Sequence, residues 1–121
     1  MTPAEEEIMQ VIWKIEKGII KDILKEYPHP KPAYNTIATV LRVMEKKGFV
    51  AHETVGAFFQ FYPLMTKEAY ARSQAKSLIK SYYDSSLTKL IAAFAKEENL
   101  SPSDIEQMNQ IFAAAKESKK E

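Results

Sequence analysis

The stretch YNTIATVLRVMEKK, residues 34–47, decides the fold. At 3.6 residues per helical turn, its apolar side chains fall on one side at the spacing i, i+3, i+4 and i+7: Ile37, Val40, Leu41 and Met44. Polar side chains fall on the opposite side, along about three turns, and we call them the outward stripe: Asn35, Thr39, Arg42 and Lys46. The pattern predicts a helix with one buried face and one hydrogen-bonding face.

The outward stripe carries groups that reach base edges and phosphates in the DNA major groove. The Asn35 amide can read adenine, and Arg42 can pair with guanine O6 and N7. The predicted DNA-binding set adds nearby hydroxyls and lysines: Lys31, Asn35, Thr36, Thr39, Arg42, Lys46 and Lys47. A solvated surface helix is the alternative interpretation, with Thr36 as its cap and the terminal lysines serving only the helix dipole.

Length and composition indicate one domain, or one small domain with an appendage. The chain has 121 residues, of which 45% are hydrophobic and 27% charged, and it has no cysteine. Disulfides and thiolate chemistry are therefore excluded. The acidic start MTPAEEE differs from a signal peptide, and no apolar run approaches the roughly 18 residues of a membrane span. We expect a soluble cytoplasmic protein without membrane insertion.

Charge is distributed unevenly along the chain, although the net charge is only +1. Residues 1–16 carry −3 and residues 17–50 carry +4. Residues 51–83 carry +2 and residues 84–121 carry −2. Phosphate binding needs local positive charge, and the predicted recognition helix lies in the most positive block.

The segments around this helix complete a winged helix-turn-helix. Thr2-Pro3-Ala4-Glu5 is a capping box that opens a first helix, for which Gly18 is the predicted stop. A second helix is predicted over 20–27, and the following prolines end it. Strands are predicted over 49–52 and 58–62, with the turn at 54–57.

The rest of the chain has helical patterns only. Thr66 opens one helix, Asp84 or Ser85 caps the next, and Ser101-Pro102 starts the last. Such short helices cannot bury their apolar residues alone, so we expect a homodimer; a monomer with the tail folded back is the alternative. The predicted dimerisation residues are Leu87, Leu90, Ile91, Phe94, Ile105, Met108, Ile111 and Phe112.

Residue patterns typical of enzymes are missing. The chain has two histidines and three glycines, and it lacks a phosphate-binding loop, a nucleophile elbow and a zinc-protease motif. A metal site formed by His29, His52 and acidic residues is a weak alternative. We expect no catalytic residues, no metal and no cofactor.

Several segments together resemble the penicillinase repressor (BlaI/MecI-type) family of winged-helix transcriptional regulators. The matching segments, in chain order, are Glu6-Glu7-Ile8-Met9 with Ile12-Trp13, Thr36–Leu41 with Lys47-Gly48, Tyr62-Pro63-Leu64, Ser86-Leu87, Leu90-Ile91, Phe94, Leu100-Ser101 and Ile105-Glu106. The resulting fold class is mainly α with a small β-hairpin: an N-terminal winged helix-turn-helix over 1–65 and a C-terminal helical dimerisation segment over 66–121.

The resemblance implies a homodimeric repressor on a palindromic double-stranded DNA operator. In related repressors of resistance genes, a membrane-bound sensor metalloprotease pathway leads to cleavage in the dimerisation segment. The corresponding pair here is Ala93-Phe94, where characterised members have asparagine before phenylalanine. The family commonly has arginine at the position of Val43 and a basic residue at that of Ala57.

Two other functions are compatible with the same sequence. One is a winged-helix protein-interaction module without DNA binding, which the modest net charge and Ala57 favour. The other is a ligand-sensing repressor whose effector pocket is lined by aromatic residues such as Tyr70, Tyr82 and Tyr83.

Overall fold

A computed structural model describes residues 1–97 and 100–120. The chain forms two compact units, Met1–Ser73 and Gln74–Glu121. Its elements, in chain order, are α1 (Pro3–Ile15), α2 (Ile20–Glu26), α3 (Tyr34–Lys46), β1 (Val50–Val55), β2 (Phe58–Pro63), α4 (Lys67–Tyr82), α5 (Leu87–Ala95) and α6 (Pro102–Ser118). The fold is mainly helical with one antiparallel hairpin, which confirms the predicted fold class.

Helix α1 begins with the predicted capping box. The Glu5 amide donates to Thr2 Oγ1 at 3.2 Å, and the Thr2 amide donates to Glu5 Oε1 at 2.7 Å. The helix ends before Gly18, because Glu16 takes a φ of 69° and breaks the helical path. The backbone of Gly18 instead pairs with that of Phe61, at N–O distances of 3.0 and 2.8 Å. Gly18 therefore joins α1 to the hairpin.

The core of the first unit lies where α1, α2 and α3 meet the hairpin. Three of the four predicted apolar residues of α3, Ile37, Leu41 and Met44, are buried, and the fourth is half-buried. Helix α2 ends at Glu26, one residue earlier than predicted. Tyr27 follows it into the core. Burial, together with the hydrogen bond that its hydroxyl donates to Glu7, raises the pKa of Tyr27 to about 12.

The hairpin is longer and its turn shorter than predicted. Val55 pairs with Phe58, so the turn consists of residues 56 and 57 only, and β1 starts at Val50. Two-residue turns of this kind need a positive φ, and Gly56 supplies one at 62°. The predicted four-residue turn was wrong because Thr54 and Val55 were not counted as strand residues.

The start of α4 is fixed to α1 inside the first unit. Trp13 Nε1 donates to the carbonyl oxygen of Met65 at 2.9 Å, and the Tyr70 hydroxyl donates to Glu6 Oε1 at 2.6 Å. The hydrogen bond to Glu6, followed by burial, raises the pKa of Tyr70 to about 12. Tyr70 therefore connects α4 to α1 through this hydrogen bond.

Helices α5 and α6 begin with serine caps. Ser86 Oγ accepts from the Lys89 amide at 3.2 Å, so neither predicted cap of α5 was right. Asp84 and Ser85 instead have φ values of 51° and 60°, which place them in the turn before the helix. The predicted Ser101 cap of α6 is confirmed, since Ser101 Oγ accepts from the Asp104 amide at 3.0 Å.

Apolar side chains remain uncovered along the second unit. No residue of α4, α5 or α6, all of which lie in the described ranges, is buried. The large apolar side chains exposed there are Leu78, Tyr82, Leu87, Phe94, Ile105, Ile111 and Phe112. The division between the two compact units falls inside α4, and the domain assignment of 1–65 and 66–121 stays a prediction. Among residues 1–97 and 100–120, no helix is long and apolar enough to cross a bilayer.

Candidate nucleic-acid interface

The outward stripe of α3 lies on the surface as the helical spacing predicts. Asn35, Thr39, Arg42 and Lys46 are all exposed, on the side of α3 opposite the core. The side chains of Asn35, Arg42 and Lys46 make no hydrogen bond or ion pair with any described residue. Thr39 Oγ1 donates to the Asn35 carbonyl oxygen at 2.9 Å, which fixes the threonine side chain on the helix surface. The stripe therefore combines two cations, an amide and a hydroxyl that are available to a ligand.

Thr36 extends the polar surface at the start of α3. The helix begins after Ala33, which has no side-chain acceptor, and the Thr36 amide donates to the Ala33 carbonyl oxygen at 3.1 Å. Thr36 is therefore not the cap of α3. Its exposed side chain lines a shallow depression together with Asn35, Thr39 and Val40. These residues form the amino-terminal end of the candidate interface.

Lys31 lies in the connector before α3. Its ammonium group donates to the Lys25 carbonyl oxygen at 3.3 Å and remains exposed. An ammonium group has three donors, so this bond leaves the charge able to contact a phosphate.

Lys47 lies at the carboxyl end of α3, where its ammonium group binds a buried carboxylate. Lys47 Nζ lies 3.0 and 3.2 Å from the two carboxylate oxygens of Glu5, a residue only 2% exposed. The backbone hydrogen bond from Thr2 lowers the pKa of Glu5, and the bond from Lys47 acts in the same direction against the effect of burial. Lys47 therefore ties the end of α3 to the start of α1.

Polar contacts also engage side chains around the hairpin. Lys17 forms an ion pair with Glu53 on β1, and His52 Nδ1 contacts a carboxylate oxygen of Glu45 on α3. The ring of His52 stacks on Phe59 at a centroid distance of 4.1 Å. No group of three or more histidine or acidic side chains within residues 1–97 and 100–120 could hold a metal ion.

The tip of the hairpin is apolar. Val55, Phe58 and Phe59 are 50%, 57% and 54% exposed, respectively, and surround the turn at Gly56 and Ala57. No basic side chain lies at this turn, as the sequence indicates. The hairpin therefore offers aromatic contact area in place of a phosphate contact.

Comparison with known proteins gives consistent matches. A family model described as penicillinase repressor matches residues 1–114. The penicillinase repressor of Bacillus licheniformis is 29% identical over 122 residues, covering 100% of this chain and 95% of that protein. The methicillin resistance regulatory protein MecI of Staphylococcus aureus (strain N315) is 28% identical over 113 residues, covering 93% of this chain and 92% of that protein.

A solved structure resembles the first part of the fold. The solution structure of the DNA-binding domain of the repressor BlaI aligns with a TM-score of 0.51 and 31% sequence identity. The alignment covers 58% of this chain and 87% of that domain.

Proposed function

Because the chain belongs to the penicillinase repressor family, we propose that it represses transcription by binding double-stranded DNA through the outward stripe of α3. The family consists of transcriptional repressors, so the expectation that the chain is not an enzyme is confirmed by its membership. In the proposed complex, α3 enters the major groove and the bound protein blocks a promoter.

The exposed and unpaired side chains of Asn35, Arg42 and Lys46 in the outward stripe are the observation that carries this proposal. Arg42 presents a guanidinium group with no partner among the described residues, and its planar fork matches guanine O6 and N7. Asn35 presents an amide that matches adenine N6 and N7. In the proposed complex, phosphates or thymine methyl groups are contacted by Thr36, Thr39, Lys31 and Lys46. Lys47 is not part of the proposed contact set, because Glu5 already binds its ammonium group.

The proposed active form is a homodimer on a palindromic operator. The second unit exposes apolar side chains of all three of its helical segments, which a second copy can cover. The predicted dimerisation residues of α5 and α6 are all exposed or half-buried. Two-fold symmetry then places the two α3 helices on half-sites about 34–36 Å apart.

The proposal extends to location and regulation. A repressor of a bacterial-type operator works in the cytoplasm, on the cell's own DNA. A membrane-bound sensor metalloprotease system is the proposed regulatory partner, with Ala93-Phe94 as the cleavage site. Both residues are exposed in the single chain, but they lie within α5, and Phe94 belongs to the surface that a second copy is proposed to cover. Cleavage at this bond therefore requires local unfolding of α5.

A salt titration with random-sequence duplex DNA tests the proposal. Each neutralised phosphate contributes about 0.9 to the slope of log affinity against log salt concentration, so a repressor dimer loses affinity steeply between 50 and 200 mM salt. Selection from a random duplex pool should then yield a palindrome. Absence of duplex binding at low salt would contradict the proposal.

A protein-interaction module is the second candidate function. The apolar tip formed by Val55, Phe58 and Phe59 favours it, since exposed aromatic side chains are common in protein interfaces. The same titration separates the two functions, because such a module would show neither measurable duplex affinity nor a salt-dependent slope.

A further inference from the structure

A groove lies between α2, α3 and the hairpin, within the first unit, and of its lining residues the proposed DNA contacts use only Arg42. Its volume is about 670 Å³, which lies within the range of small-molecule sites. We call it the wing groove. Its walls are mostly apolar and aromatic, and they include Ile20, Leu24, Tyr34, Ala38, Phe58 and Phe59.

Two cations lie in the walls of the wing groove. Lys21 of α2 and Arg42 of α3 both line it, and neither forms an ion pair with a described residue. One acidic side chain, Glu45, also lines it and contacts His52, so the two cations outnumber the carboxylate. The groove therefore combines flat apolar surfaces with a local excess of positive charge.

From this combination we infer that the wing groove binds a small amphipathic anion with a planar aromatic body and one carboxylate. The rings of Tyr34, Phe58 and Phe59 offer contact area to the aromatic body. Lys21 and Arg42 bind the carboxylate, and a planar guanidinium group does so through two parallel hydrogen bonds. Duplex DNA is a poor occupant, because apolar walls do not solvate a phosphodiester.

Occupation of the groove competes with DNA for Arg42, and this part of the inference rests on the proposed function. Tyr34, Ala38, Arg42 and Glu45 follow one another at helical spacing along one side of α3. Arg42 also belongs to the outward stripe, so it lies where the groove and the DNA-reading surface meet. A carboxylate that holds its guanidinium group in the groove removes it from guanine, and the anion therefore acts as an inducer.

Calorimetric titration of the full chain with 2-naphthoate tests the binding site without DNA. We expect a dissociation constant between about 10 µM and 1 mM, which is typical of a ligand of this size. The uncharged 2-naphthamide has the same aromatic body and should bind about tenfold or more weakly. Amide resonances of Ala38, Phe58 and Phe59 should shift in a labelled sample. No binding at millimolar naphthoate, or equal binding of the two compounds, would overturn the site.

A pair of matched substitutions tests the charge requirement. Lys21→Met should weaken naphthoate binding about tenfold and leave naphthamide binding unchanged, because it removes one cation from the groove. Lys25→Met is the control, since Lys25 is exposed on the same helix and does not line the groove. Equal effects of the two substitutions on naphthoate binding would overturn the assignment of Lys21 as a cation that binds the carboxylate. A second copy of the chain that fills the groove would make the same resonances shift with protein concentration and would prevent naphthoate binding. That outcome would also overturn the assignment of the groove to an aromatic carboxylate.

Competition with DNA is measured separately, using duplexes that the wild-type chain binds. Saturating naphthoate should weaken duplex binding at least fivefold, and naphthamide at the same concentration should have little effect. Unchanged duplex affinity with naphthoate bound would overturn the inducer role. If no duplex binds even without naphthoate, the proposed function fails, while the calorimetric result still decides whether the groove is a ligand site.

Discussion

At the scale of single residues, Glu5 links two parts of the first unit. Its carboxylate caps α1 through the Thr2 amide and binds the Lys47 ammonium group at the end of α3. A buried carboxylate is stable only when hydrogen bonds and a cation compensate for its lost hydration. The sequence predicted the capping role from the spacing of Thr2 and Glu5. It could not predict the ion pair, because Lys47 lies 42 positions away and its basic character also suits DNA.

Replacement of Glu5 by glutamine should lower stability in a pH-dependent way. The amide keeps the cap but loses the ion pair, so we expect the free energy of unfolding to fall by about 1–3 kcal/mol at pH 7. The pKa of Glu5 is lowered in the folded chain, so its contribution is complete above the ordinary value of 4.5 and disappears as the pH falls through the lowered value. Urea unfolding of the wild-type chain and of Glu5→Gln between pH 7 and pH 3 measures this difference in the free energy of unfolding.

The control for that experiment is Glu16→Gln, which removes an exposed carboxylate at the other end of α1. It should change stability by no more than about 0.5 kcal/mol. A loss for Glu5→Gln that stays constant down to pH 3 would contradict the role of the ion pair.

At the scale of elements, the predictions that depended on periodicity succeeded, and those that depended on exact ends succeeded at the starts of α1 and α6 but not at the start of α5. Helix α3 has its predicted bounds within one residue, because a polar and an apolar stripe define its orientation over several turns. The α5 cap was wrong because Asp84, Ser85 and Ser86 are all suitable cap residues in sequence. Only the backbone path, with two positive φ values, distinguishes them.

The wing groove could not be predicted, for a related reason. Its walls come from α2, α3 and the hairpin, whose packing against one another is not visible in their separate patterns, and each aromatic residue has an ordinary place in its own strand or helix. Periodicity assigned Tyr34 and Ala38 to neither stripe of α3. Only the packing of the hairpin beside α3 shows that these residues share a cavity with Arg42.

The end of α3 offers a direct comparison of two adjacent lysines. Lys46→Met should reduce the salt slope of duplex binding by about 0.9 per protomer, because it removes one phosphate contact. Lys47→Met should leave the slope nearly unchanged and lower the midpoint of urea unfolding, because its partner is Glu5. Salt titration of duplex binding measures the slope of each variant, and urea unfolding measures its midpoint. The opposite pattern would return Lys47 to the DNA-binding set.

At the scale of the whole molecule, we propose that assembly and DNA binding are coupled through the second unit. Single-helix contacts with one half-site give limited affinity, and a symmetric pair of binding domains gains from simultaneous binding. The uncovered side chains of α5 and α6 are the proposed source of that symmetry, with Ile111 the most exposed at 63%. Loss of dimerisation should therefore weaken operator binding without altering α3.

Ile111→Asp tests this coupling. A charge within the proposed apolar interface should shift the chain from dimer to monomer in analytical ultracentrifugation at micromolar concentration, and operator affinity should fall at least tenfold. Gln110→Asp places the same charge on the adjacent exposed position of α6 and should leave the dimer intact. If the Ile111→Asp variant stays dimeric, the side chain of Ile111 lies outside the interface.

The most direct test of the central claim is base preference at a selected operator. Operators obtained by selection with the wild-type chain are bound again by Arg42→Ala, with Arg72→Ala on α4 as the matched arginine control. Arg42→Ala should lose discrimination at one base pair in each half-site, worth about 1–3 kcal/mol, while Arg72→Ala keeps the full preference. An Arg42→Ala protein with unchanged preference at every position would contradict the claim that the outward stripe reads DNA.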